Sequence, residues 1–127
     1  MDAQRSVEEV EREQPRSALS QLSNAMVRIY KDQFGRGPVK AKTSYADANT
    51  IISTLESTLT PAEQKMRDMG EHQRLEETRL LFQRASRKDF TRSVEQITGR
   101  TVRAFVSGTD SSADVSSEVF YLEPVAA

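Results

Sequence analysis

No cysteine occurs in the 127 residues. Disulfides, thiolate metal sites and a cysteine nucleophile are therefore excluded, and a reducing compartment, the cytoplasm, is the expected location. No run approaches the roughly 18 consecutive apolar residues that a spanning helix requires. The charged start, Met1 to Gln14, lacks the apolar stretch of a signal peptide. Direct membrane insertion is accordingly not expected. Aromatic residues make up only 6% of the chain, and the alternation around Tyr45 places it opposite Lys40 and Lys42. A basic face interleaved with stacking rings does not form, so nucleic-acid binding is not expected. The net charge of −1 implies no global attraction to polyanions either.

Histidine occurs once, at His72. A zinc site would have to be completed by three carboxylates, an uncommon donor set, and no metal is expected. Gly35-Arg36-Gly37 is not a dinucleotide fingerprint, because it follows a helix, precedes a strand and lacks the third glycine. Neither a phosphate loop nor a Gly-x-Ser-x-Gly elbow is present. No cofactor is predicted.

What is present reads as one α+β domain. The chain is 36% hydrophobic and 29% charged, ordinary for a folded domain of this length. Residues 1–15 are read as an acidic flexible tail of net charge −3, with a short exposed helix as the alternative. Residues 16–124 are read as the single domain and 125–127 as a C-terminal tail. The stretch 16–45 carries net +5, so the two ends of this region differ in sign.

From Ser17, Leu19, Leu22, Met26 and Ile29 recur at spacings of three and four, which predicts a helix ending at Phe34 with Gly35 as its left-handed cap. Val39 to Tyr45 alternates like a half-buried strand, and Thr50 to Glu56 completes a hairpin. In Thr60-Pro61-Ala62-Glu63, Thr60 suits the N-cap, Pro61 the first helical position, and Glu63 closes a capping box. A long helix is expected from there to about Ala85, with Gly70 inside it allowing close packing or a bend. Ser86 or Asp89 caps a further helix carrying Phe90, Val94 and Ile97, which Gly99 ends. Val102 to Ser107 and Val115 to Leu122 form a second hairpin, with Val102, Ala104 and Val106 alternating against Arg103, Phe105 and Ser107.

Gly35-Arg36-Gly37-Pro38-Val39-Lys40-Ala41 resembles Gly99-Arg100-Thr101-Val102-Arg103-Ala104, each following a helix and opening a hairpin. This points to duplicated α-β-β units forming a four-stranded antiparallel sheet with helices on one face. Under that symmetry Arg36, Lys40, Arg100 and Arg103 are candidates to converge on an anion such as phosphate, bicarbonate or a nucleotide.

Several segments together resemble the MpsC family over residues 17–124. They are Ser23 to Val27, Tyr30 to Pro38, Leu59 to Glu63, Thr78 to Gln83, Ile97 to Val102 and the closing Asp110 to Pro124. The resemblance implies a bacterial cytosolic protein associated with a membrane system that moves cations or inorganic carbon. It implies no catalytic residues. Most of the matching positions are explained as caps and turns, but Arg79, Gln83 and Arg100 are not; they are candidates for a contact site, Arg79 and Gln83 for partner contact. Three readings follow: a non-enzymatic accessory protein of membrane transport subunits, with homodimerisation through the open sheet or the long helix; an anion or nucleotide sensor; and an enzyme using Glu71 and His72 as acid and base.

Overall fold

The computed structural model describes residues 16–125. The tail expected over 1–15 lies outside the described residues, as do 126 and 127. Helix α1 spans Arg16–Phe34. It is followed by strands β1 (Lys40–Asp47) and β2 (Thr50–Glu56), helices α2 (Pro61–Asp68), α3 (His72–Ala85) and α4 (Arg87–Thr98), and strands β3 (Val102–Asp110) and β4 (Val115–Leu122). The strands form one antiparallel sheet in the order β1-β2-β4-β3. This order is symmetrical about the β2–β4 pair. Each hairpin is preceded by a helix and a left-handed glycine (Gly35 at φ 79°, Gly99 at φ 71°), while α2 and α3 lie between the two such units.

The pairing registers define rows across one face of the sheet. Tyr45, Ile51, Phe120 and Phe105 form an apolar row. Leu22, Met26 and Tyr30 of α1 and Phe90 and Val94 of α4 belong to the same core cluster. Phe90, Phe105 and Phe120 stack in sequence with ring centroids 5.2 and 5.0 Å apart. Such pairs add about 0.5–1.5 kcal/mol each beyond their buried area.

Two expectations are corrected. Phe105, not Val106, faces the core, and Val106 is 54% exposed. The register shifts between Val102 and Ala104, and the extra residue of this bulge reverses the parity of everything after it.

The long helix is also two helices. The Gly70 amide bonds to Arg67 O (2.9 Å) and the Glu71 amide to Met66 O (2.9 Å). With Gly70 at φ 82°, these bonds form the Schellman arrangement that ends a helix. Upstream, the Thr60–Glu63 capping box is complete, with Pro61 in the first turn. Ser86 occupies the N-cap of α4 without a side-chain cap bond; its hydroxyl instead accepts from Gln33 Nε2 at 2.9 Å.

The break makes a sign prediction. In a continuous helix Gly70→Ala would stabilise by about 1 kcal/mol. At a left-handed cap it should destabilise by about 1 kcal/mol, although no atom lies within 4 Å of the new methyl. Urea unfolding of the variant gives the sign.

Candidate functional site

Breaking the helix lets its two halves meet. Glu63 and Arg79 are sixteen residues apart and would be separated by about 24 Å along one helix. Here Arg79 Nε donates to Glu63 Oε2 at 2.6 Å and Nη2 donates to Glu63 Oε1 at 2.5 Å. Nη2 also donates to Thr58 O at 3.0 Å. The guanidinium lies 3.8 Å from the Phe34 ring centroid, and the whole side chain is 1% exposed. Burial alone would raise the Glu63 carboxyl, but the hydrogen bonds from Arg79 and Thr60 outweigh it and hold its pKa below the ordinary value.

One turn further along α3, Gln83 is 2% exposed and reaches the sheet. A polar row follows the apolar one across the same face: Thr43, Ser53, Glu118 and Ser107. Ser23 donates to Thr43 (2.9 Å), and Thr43 and Ser53 share a hydrogen bond at 2.8 Å. Glu118 is fully buried. Its Oε2 accepts from Ser107 Oγ (2.8 Å), Tyr30 Oη (3.1 Å) and Gln83 Nε2 (3.3 Å). Gln83 Nε2 also donates to Tyr30 Oη at 3.1 Å. Glu118 Oε1 and Gln83 Oε1 have no hydrogen-bond partner among the described residues.

Desolvation by burial pushes the Glu118 carboxyl up to about 7, against the downward pull of its three donors and of the Arg79 charge. Burial and the adjacent Glu118 carboxyl also push the Tyr30 phenol upward, so Tyr30 remains a donor. Near neutral pH this interior site therefore passes between a neutral acid and a carboxylate.

Gln83 and Ser107 floor a groove between α3 and β3. Two adjoining hollows of about 460 and 400 Å³ share Leu80, Gln83 and Ser107. The first is also lined by Glu76 and Glu77, the second by Arg84 and Arg87. His72 borders the acidic end. Ser111 Oγ gives its single proton to Glu76 Oε2 (2.7 Å), so His72 Nδ1, 2.7 Å away, donates to Ser111. Ser111 is fully buried, and its amide also bonds to Glu76 (2.9 Å). The trio thus pins the β3–β4 turn to α3.

The four basic candidates do not come together. Lys40 pairs with Glu56 at 3.7 Å, and Arg36 Nη1 donates to Leu59 O at 2.7 Å, both at the open end of the β1–β2 hairpin. Arg100 sits at its turn, donating to Ala48 O (2.7 Å) and Asn49 Oδ1 (2.5 Å). The strand between them spans about 20 Å or more. Arg103 lies over the Tyr121 ring, 5.6 Å from its centroid. Arg79 and Gln83, read as surface contacts, lie inside the fold, where Leu75, Arg79 and Gln83 form the buried stripe of α3. Glu118 and Tyr30 were not singled out by sequence. The signal was there in the alternation of β4, but Val115 and Val119 made the opposite parity equally plausible as the inner face.

Two predictions follow. Arg79→Leu leaves the partly buried Glu63 carboxylate without its counter-ion, with only the Thr60 amide as donor, and should cost about 3 kcal/mol in urea unfolding; Glu63→Leu in the same chain should recover part of it. For Glu118, the folded chain keeps a proton that the unfolded chain has released between its ordinary value of 4.5 and about 7. Its contribution to stability therefore falls as pH rises through that window, by about 3 kcal/mol in total. Glu63 acts in the opposite sense, its contribution being lost as pH falls below the ordinary carboxylate range. Urea unfolding from about pH 5 to about pH 8 should show the decline, and Glu118→Gln should remove most of it.

A search of curated proteins and a search of solved structures give no match. The family model described as "Na+-translocating membrane potential-generating system (MpsC)" matches residues 15–124. That span contains every described helix and strand but the last residues of neither terminus, and the chain belongs to the MpsC family.

Proposed function

We propose that this chain is a non-enzymatic, cytoplasmic accessory or regulatory protein of a membrane system that transports cations or inorganic carbon, and that it works through surface contacts, including self-association. The family's description concerns Na+ translocation and membrane potential. No helix among the described residues is long and apolar enough to cross a membrane. That contrast carries the reading: another chain provides the ion path, and this one acts on it. The site chemistry supports the non-catalytic part. The Ser111 hydroxyl, held between His72 and Glu76, is fully buried and does not line the groove, so it is not presented to a substrate there. The engagement of Arg36 and Arg100 with backbone carbonyls weighs against the anion-sensor alternative.

Membrane vesicles from cells lacking the protein should build a smaller Na+-dependent potential, and adding back the purified chain should restore it. The purified chain in protein-free liposomes should generate none. Full potential in vesicles that lack the protein would overturn the reading.

A further inference from the structure

The two edges of the sheet are built differently. β1 presents Lys40, Lys42 and Asp47 and ends in a register irregularity between Tyr45 and Asp47. Charges and bulges of this kind keep an edge from pairing with another chain. β3 pairs only with β4 among the described residues. Its charges, Arg103 and Asp110, and its register shift between Val102 and Ala104 are confined to its ends; from Ala104 to Thr109 it carries no charged residue, and Val106 at its midpoint is more than half exposed. On the outer face of the sheet Val106 ends an apolar row with Val119 and Ile52, directly at this edge.

The α3 flank beside that edge is equally unpartnered at its centre and charged at its ends. Leu81 is 65% exposed next to Leu80. Glu77 stands one turn before this pair and Arg84 one turn after it, and Arg84 has no ion pair among the described residues. The groove is therefore acidic at one end and basic at the other, with Leu80 beside Gln83 and Ser107 at its middle. A two-fold axis through that middle point brings the acidic end of one copy onto the basic end of the other. In helix terms, Leu80 meets Leu81 of the second copy and Glu77 meets its Arg84, twice over. A surface complementary to its own rotated image is what an isologous interface requires.

From this we infer that the β3 edge and the α3 flank form a homodimer interface in which β3 pairs antiparallel with its copy, joining two four-stranded sheets. The occupant of the groove is the second copy, because the charge pattern is self-complementary about a central point. The inference deepens the accessory-protein reading by naming its self-association surface, but its geometry does not depend on transport.

Light scattering across a micromolar to sub-millimolar series of the full chain should show a concentration-dependent dimer. Glu77→Arg and Arg84→Glu should each weaken it by about tenfold or more, since each reversal sets like charges together at two symmetric places. The double variant should regain the dimer, because the swapped pair is again opposite in sign. Lys42→Glu on the other edge should leave it unchanged. Both groove residues are exposed, so far-UV circular dichroism should report every variant as folded. A monomer throughout the series, a dimer indifferent to both single reversals, or a double variant as weak as the singles would each overturn the inference. These measurements use no membranes, so a negative result leaves the vesicle assay to judge the transport reading separately.

Discussion

A guanidinium almost wholly withdrawn from water is costly unless its charge and its donors are met, and the arrangement around Arg79 answers that constraint for the charge, Nε and Nη2, with Nη1 left without a partner among the described residues. Its carboxylate partner, Glu63, lies on α2, so α2 and α3 must fold back on each other, which the left-handed Gly70 allows. Its carbonyl partner, Thr58, lies on the link between β2 and α2. That link is positioned by Asp114 from the β3–β4 turn, which accepts from the Thr58 amide at 2.8 Å and the Leu59 amide at 3.2 Å. Its flat face rests on Phe34 at the end of α1. One buried charge thus sets the relation of α1, α2, α3 and the hairpin ends. Glu63 also closes the α2 capping box, so the residue that starts this helix also neutralises the arginine.

The interior this creates is only partly apolar. A row of rings and aliphatic side chains holds the sheet to α1 and α4, while the adjacent row is bonded through hydroxyls to a carboxyl. Hydrogen bonds offset most of the cost of burying such a row, although Glu118 Oε1 and Gln83 Oε1 have no partner among the described residues. Glu118 is the sensitive member. It is linked through Ser107 and Gln83 to the groove floor, so its protonation and the contents of the groove act on the same side chains.

Local signals were legible wherever a residue's role is set by its immediate neighbours. Thr60, Pro61 and Glu63 announce a helix start because capping needs only four consecutive residues. Gly35 and Gly99 announce helix ends because only the backbone needs the left-handed angle. Thr50 to Glu56 announces a strand because a β-branched, apolar run follows turn residues. The readings that failed depend on distant partners. Gly70 in a run of good helix formers reads as a tolerated interior glycine until the pairing of Glu63 with Arg79 decides for a break. The alternation after Val102 reads with Val106 inside until the register against β4 inserts the bulge at Arg103. Arg79 and Gln83 read as surface because charge and amide normally are.

By itself, then, the sequence determined the α+β class, the two hairpins and their glycine entries, the capping box, the family, and the exclusion of cysteine chemistry. These rest on composition or on interactions spanning a few residues. Only the tertiary structure decided where the buried charge lies, which face of β4 is inner, that the paired basic entries stand at opposite ends of a hairpin, and that acidic and basic ends flank a shared groove. Those follow from contacts between residues tens of positions apart, whose free energy outweighs local preference once the core closes around them.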